Sequence, residues 1–235
     1  MSTATVLGVG PGLGAALARR FARGGLDVAL MARSEASLAP VELEVTSLGR
    51  RARSILVDAS DNASVASAFE RAKAELGAPE VFVYNAGAFQ RGSIVDTAPE
   101  EFERCLSANC TGAFLAAKCV LPDMLERGRG TIILTGATAS LRGSANFACL
   151  AVGKFALRAL AQSMAREVGP RGIHVAHVVI DGQIDTPGLR AMAPERGIET
   201  LLSPDAIAET YWQLHVQAPT CWTLELDLRP CTERF

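Results

Sequence analysis

Short apolar runs alternate with longer stretches of helical period from one end of the chain to the other. The runs fall at residues 3–9, 27–31, 52–57, 81–84, 130–135, 173–179 and 222–227, and Gly, Pro or Asp often bounds them. Each predicts a short strand buried on both faces. Between them, apolar positions recur at helical spacing over residues 14–23, 34–48, 62–76, 99–126, 145–168 and 203–216, which predicts six helices. Such alternation implies a parallel sheet covered on both faces. The expectation is a doubly wound α/β fold with seven parallel strands, in a single domain over residues 1–235. Residues 185–204 break the rhythm. Pro187, Pro194 and Pro204, with Gly188 and Gly197, predict an irregular flap there. Such a segment over strand ends can cover a substrate, or it can be an ordinary surface connection.

The 235 residues suffice for one large domain with a substantial core. The net charge is −2, and acids and bases are mixed along the chain without a basic block. That argues against nucleic acid or an anionic membrane surface as partners. No apolar run approaches the roughly 20 residues of a membrane helix. Met1–Val6 has no basic n-region, so no signal peptide is expected. Six cysteines (105, 110, 119, 149, 221, 231) form no C-x-x-C pair and no cluster with His. They predict reduced thiols in a cytoplasmic protein and no metal site.

The first strand leads into Gly8-Val9-Gly10-Pro11-Gly12-Leu13-Gly14, which opens the first helix. Glycines there let the backbone turn tightly and approach a pyrophosphate, whose charge suits the helix N-terminus. Strand, glycine loop and helix together read as a Rossmann-type dinucleotide site using Gly8, Gly12, Leu13 and Gly14. The end of the second strand bears on cofactor choice. A carboxylate there would hold the ribose hydroxyls of NAD. The chain has Leu30-Met31-Ala32-Arg33-Ser34 instead, and Arg33 can pair with a 2′-phosphate. NADP(H) is therefore favoured over NAD(H).

The spacing of Gly8, Gly12 and Gly14 resembles that of the short-chain dehydrogenase/reductase family, and further segments extend the resemblance over nearly the whole chain. Val57-Asp58-Ala59-Ser60 places Asp58 at the family's adenine-contacting Asp. Tyr84-Asn85-Ala86-Gly87 is similar to its N-N-A-G, where Asn85 would steady the sheet and Ala86 and Gly87 let the cofactor lie close. Ser107-Ala108-Asn109-Cys110-Thr111-Gly112 places Asn109 at the catalytic Asn, and Lys154 matches the catalytic Lys. Asp181-Gly182-Gln183-Ile184-Asp185-Thr186 looks like the segment whose backbone around Gly182 and Ile184, with the Thr186 hydroxyl, would hold the nicotinamide carboxamide. The resemblance implies an oxidoreductase acting on a small-molecule substrate, assembled as a homo-oligomer, dimer or tetramer. The contacts expected are the two long helices and the last strand.

Two positions depart from that pattern. Leu150 stands four residues before Lys154, where the family has its catalytic Tyr. Ala137, 13 residues before Leu150, occupies the position of the catalytic Ser. The resemblance makes the Tyr the proton donor, so Leu150 implies a slow enzyme, another donor, or a substrate needing none, such as an iminium. General acid catalysis is worth roughly 10²–10⁴ in rate. Thr138 and Asp181 are the candidate substitutes, with Ser140 beside them. Tyr84, Tyr211 and Cys149 are expected to pack. His174 and His177 are expected on opposite faces of one strand. Two readings follow: an NADP(H)-dependent oxidoreductase of a carbonyl or imine substrate, or a non-catalytic NADP(H)-binding sensor or partner protein. A lyase or isomerase on the same fold is a weaker third.

Overall fold

The computed structural model describes residues 2–233. Seven strands form one wholly parallel sheet: β1 (Thr3–Leu7), β2 (Asp27–Ala32), β3 (Ala52–Leu56), β4 (Val81–Tyr84), β5 (Gly130–Thr135), β6 (Ile173–Ile180) and β7 (Glu225–Leu228). Their order is β3-β2-β1-β4-β5-β6-β7. The chain winds outward from β1 in one direction, then returns to lay β4 on the other side. That reversal opens a crevice at the carboxyl ends of β1 and β4.

Every residue of β1, β4 and β6 is buried, as continuous apolar runs require. One face of the sheet is covered by α1 (Leu13–Arg23), α2 (Glu35–Ser47) and α8 (Pro204–His215), and Phe21, Leu38 and Tyr211 are buried there. The other face carries α3 (Asn62–Leu76), α5 (Gly112–Arg127) and α6 (Ala148–Val168), around Phe82, Tyr84 and Met124. Asp61 starts α3 by accepting bonds from the N–H groups of Ala63 and Ser64 at 2.9 and 3.2 Å.

The sequence-derived boundaries shift where local geometry intervenes. The first strand ends at Leu7, not at Val9, because Gly8 turns with φ +104° and the N–H groups of Gly8 and Val9 both bond Met31 O. The last strand begins at Glu225 rather than at 222. Trp222 instead stacks on His174, with ring centroids 4.9 Å apart, and Thr223 is held from both sides by the Gln217 amide. The helix expected over 145–168 begins at Ala148, since Asn146 takes φ +68°. The expected helix 99–126 is a column of three parts: α4 (Pro99–Leu106), a π-helical turn Ser107–Thr111, and α5. By length and composition this column could cross a membrane, contrary to the expectation that no such run exists. It packs instead against α3, α6, β4 and β5.

The segment 185–204 is mostly turn and coil, with one short helix and one 3₁₀ turn inside it. Thr186 caps a short helix, α7 (Pro187–Met192), and Asp185 takes a two-pronged ion pair from Arg190 at 2.6 and 3.0 Å. Leu202 closes the loop: its N–H donates to Gln183 O, and its carbonyl accepts from Asp185 N–H, both at 2.9 Å.

The column approaches the sheet at Gly112. A methyl group added there would lie 2.1 Å from Ala59 O and 2.6 Å from the Tyr84 hydroxyl. Gly112→Ala should cost about 1–3 kcal/mol, since backbone must give way. At roughly 2–4 °C per kcal/mol for a chain of this size, thermal denaturation would register a clear drop; an unchanged midpoint would contradict this close packing.

Candidate active site

The crevice begins with the turn after β1. Gly8 lies so close to β4 that a Cβ would meet Ala86 N at 2.4 Å. Asn85 Nδ2 donates to Gly8 O at 2.8 Å and ties the two strand ends together. Within the first turn of α1, Ala15 N–H donates to Gly10 O at 3.0 Å and Ala16 N–H to Gly12 O at 3.2 Å, and the N–H groups of Leu13 and Gly14 precede the helical ladder. No side chain caps this end.

Two cavities share Gly8, Gly10 and Asn85 and form one cleft across the strand ends. The larger, about 550 Å³, is lined by Arg33, Ser34, Asp58, Ser60, Ala86 and Gly87, with Arg104 from α4. The smaller, about 380 Å³, is lined by Gly12, Leu13, Gly14, Ala137, Gly182, Ile184 and Thr186. All the cofactor-site residues expected from the sequence therefore line one cleft, except Lys154, which lies beneath it. Thr186 covers the glycine loop: a Cβ on Gly12 would meet its methyl group at 2.6 Å. Asp58 accepts bonds from Ser60 N–H and Ser60 Oγ at 2.9 and 2.7 Å. Those bonds, with the charges of Arg33 and Arg104, hold its carboxyl below the usual range.

Asn109 and Lys154 converge on Gly87. A Cβ there would lie 2.9 Å from Asn109 Oδ1 and 3.6 Å from Lys154 Nζ. Asn109 sits in the π-helical turn, a distortion that often marks functional sites. Its amide is bound twice to Ala88, donating to the carbonyl at 2.8 Å and accepting from the N–H at 3.2 Å. Lys154 donates to Thr135 O at 2.8 Å. Burial disfavours its charged form and pushes its pKa down to about 8.

Around this pair the side chains are apolar or already engaged. Leu150 stands one helical turn before Lys154 on α6 and is half-buried, and half-buried Ala137 lines the cleft. Thr138 Oγ1 donates to Asp181 Oδ1 at 2.5 Å, and Arg229 approaches Asp181 Oδ2 at 3.3 Å. An ion-paired carboxylate accepts hydrogen bonds and donates none. The two candidate substitutes are thus each other's partners.

His174 and His177 point to opposite faces. His174 bonds the carbonyls of Leu214 and Thr223. His177 lies between Glu225 and Ser140, 3.0 Å from the carboxylate and 3.4 Å from the hydroxyl. Arg158 grips Glu225 with two bonds of 2.6 and 2.7 Å. Burial holds the His177 pKa below its ordinary value, so the imidazole is neutral at pH 7. Tyr84 donates to Ala108 O at 2.6 Å, and Tyr211 shares a 2.9 Å bond with Thr135 Oγ1. Both tyrosines are buried, and desolvation drives both pKa values upward. Cys149 packs beside Cys105. Sequence reasoning missed Arg104, whose only signal was a position five residues before Asn109.

Holding a Lys at a pKa of about 8 rather than 10.5 costs the fold about 3 kcal/mol at pH 7. Below pH 8 the ammonium is charged in both folded and unfolded chains, and its desolvation is fully felt. As pH rises from 8 toward 10.5 the folded chain sheds the proton first, and stability is regained. Lys154→Met should therefore raise stability by about 1–3 kcal/mol at pH 7, with a smaller gain at pH 10. The gain stays below the full cost because Thr135 O loses its donor. Denaturant unfolding at the two pH values measures this; a loss at pH 7 would show that the Thr135 bond outweighs desolvation.

Residues 2–197 match the short chain dehydrogenase family. A short-chain dehydrogenase/reductase of Armillaria gallica is 35% identical over 187 residues, which cover 78% of this chain and 71% of that protein. The crystal structure of a short-chain dehydrogenase from Rhodopseudomonas palustris superposes with a TM-score of 0.84 at 37% identity, covering 97% of this chain and 98% of that one. An alcohol dehydrogenase from Thermococcus sibiricus, complexed with 5-hydroxy-NADP, reaches a TM-score of 0.88 at 26% identity, over 100% and 99% of the two chains. The phosphate loop, the strand order and these similarities agree: the chain belongs to the short-chain dehydrogenase/reductase family of oxidoreductases.

Proposed function

We propose that this chain is an NADP(H)-dependent oxidoreductase that moves hydride to or from a small carbonyl- or imine-type substrate without a tyrosine acid. The observation that carries the reading is the division of the cleft. Its larger part carries the polar side chains of Arg33, Ser34, Asp58, Ser60 and Arg104, while Ala137 and Leu150 bring no hydroxyl to the other part. The residues fit a nicotinamide dinucleotide. Gly12, Leu13 and Gly14 would take the pyrophosphate, Arg33 a 2′-phosphate, Asp58 the adenine, and Gly182, Ile184 and Thr186 the carboxamide. Asn85, Ala86 and Gly87 would form the floor beneath it. Bound there, the cofactor supplies or accepts the hydride.

Proton handling falls to Lys154. With a pKa of about 8 it carries a transferable proton at neutral pH, as an acid catalyst should. Asn109 acts as its neighbour, fixed by Ala88, and orients what lies between them. Residues 185–204 serve as the substrate flap, anchored at Leu202 and closed over Gly12 by Thr186. Phe114 on α5, with Val152 and Phe155 on α6, stands exposed on the long helices, where a second copy of the chain would cover them. Free thiols at all six cysteines fit a reducing, cytoplasmic setting. The second reading, nucleotide binding without turnover, rests on the same absent hydroxyls and is separated by experiment.

The test is single-turnover hydride transfer from bound NADPH to ketone, imine and enone acceptors. Ketone reduction should fall above pH 8 as Lys154 loses its proton, and Leu150→Tyr should raise it by roughly 10². Tight NADPH binding with no transfer to any acceptor would establish the binding-only reading instead. A profile flat from pH 7 to 9 would remove Lys154 as donor.

Cofactor choice is tested separately by fluorescence titration. Arg33→Ala should weaken NADPH by about tenfold to a hundredfold, the worth of a charge-assisted contact, and leave NADH unchanged. Equal losses for both would refute the phosphate assignment.

A further inference from the structure

The purine end of the cleft holds a group that the family resemblance does not supply. Arg104 lies on α4 and lines the larger cavity together with Ala108, Asp58 and Ser60. Its position relative to Asp58 is fixed by the fold rather than by a direct bond. Tyr84 holds Ala108 O at 2.6 Å, and the backbone of α5 rests on Ala59 O at Gly112. The column carrying Arg104 is thereby pinned against the loop carrying Asp58. Their charges act on each other, and each favours the other's ionised form.

The two side chains have complementary capacities. Asp58 turns one oxygen to Ser60 and keeps its remaining acceptor sites. Arg104 gives one terminal nitrogen to Glu101 at 2.6 Å. A guanidinium has five N–H donors, so the rest remain for the cavity. An acceptor beside a donor matches a base edge that carries an amino group next to a ring nitrogen. Adenine presents its amino group next to a ring nitrogen acceptor. Arg33 follows β2 and would serve the phosphate, so Arg104 is the other cation in the cavity lining, placed for the base itself.

We propose that Arg104 is a further cofactor-binding residue that holds the adenine ring, donating to a ring nitrogen while Asp58 accepts from the amino group. The proposal rests on the nucleotide-binding reading above. It gives the two cations separate roles, in which Arg33 distinguishes NADPH from NADH and Arg104 does not.

The experiment measures dissociation constants of NADPH, NADH, 5′-AMP and nicotinamide mononucleotide for the wild type, Arg104→Ala, Arg104→Met and Arg33→Ala. Circular dichroism confirms that each variant is folded. Both Arg104 variants should weaken the three adenine-containing ligands by a common factor of about tenfold, with nicotinamide mononucleotide unaffected. A loss confined to NADPH would make Arg104 a phosphate ligand and overturn the proposal. So would an unchanged set of constants. Full affinity in Arg104→Met with loss in Arg104→Ala would show that the aliphatic stem covers the base, and would overturn the hydrogen bond. A wild type that binds none of the adenine ligands would instead sink the nucleotide reading itself.

Discussion

The ends of β1 and β4 meet at Gly8, where the backbone of one strand passes within a methyl radius of the next and Asn85 closes the junction by bonding Gly8 O at 2.8 Å. No other residue type fits, because the turn needs φ +104° and the space is filled by the Asn85–Ala86 peptide. From this contact the cleft is laid out. It places the start of α1 over the strand ends and brings Gly87 beside Asn109. It also leaves an opening with the glycine loop on one side and the Asp58 loop on the other. The sheet order creates the crevice, and Gly8 lines it at the junction of β1 with the residues after β4.

Polar groups under the cleft are bound with few exceptions, and the bonds are mostly to backbone. Asn109 is fixed by Ala88, Lys154 by Thr135, and Tyr84 by Ala108. Such a scaffold resists rearrangement, since a buried polar group that loses its partner costs about 1–3 kcal/mol. Lys154 departs from this economy. Its bond to Thr135 O does not offset the desolvation that drives its pKa toward 8. A fold selected for stability alone would place an apolar side chain there. Retaining the charge fits a role in binding or proton transfer, where stability and activity oppose each other.

Much of this was legible in the sequence, for a definite reason. Parallel strands buried on both faces must be written as unbroken apolar runs, and their crossovers as amphipathic helices, so the layer order can be read directly. Local motifs carried over where their chemistry is local: the glycine loop, Asp58 after β3, Asn85 after β4. What could not be read depends on register between distant segments. Leu134, His177 and Glu225 are neighbours across β5, β6 and β7, and that alignment alone builds the bridge from Ser140 through His177 to Arg158. Arg104 stands opposite Asp58 only because the column from α4 to α5 rests on Ala59. Strand and helix ends moved for a third reason, single backbone conformations such as Gly8 and Asn146 that apolar patterning does not encode.

The bridge from Arg158 also explains how the wall of the cleft around Ala137 keeps its shape. A neutral His177 that donates from Nδ1 to Glu225 leaves Nε2 as an acceptor for the Ser140 hydroxyl. Ser140 Oγ in turn accepts from Ala137 N–H at 3.1 Å. Position 137 is therefore held through its backbone, from the far side of the sheet edge. Its side chain is free to be a methyl group, and the wall of the cleft does not collapse when the hydroxyl is absent. On the other flank, Thr138 and Asp181 bind each other and clamp the end of β6 to the turn after β5. The apolar residues at 137 and 150 thus lie in a frame that polar contacts support from behind.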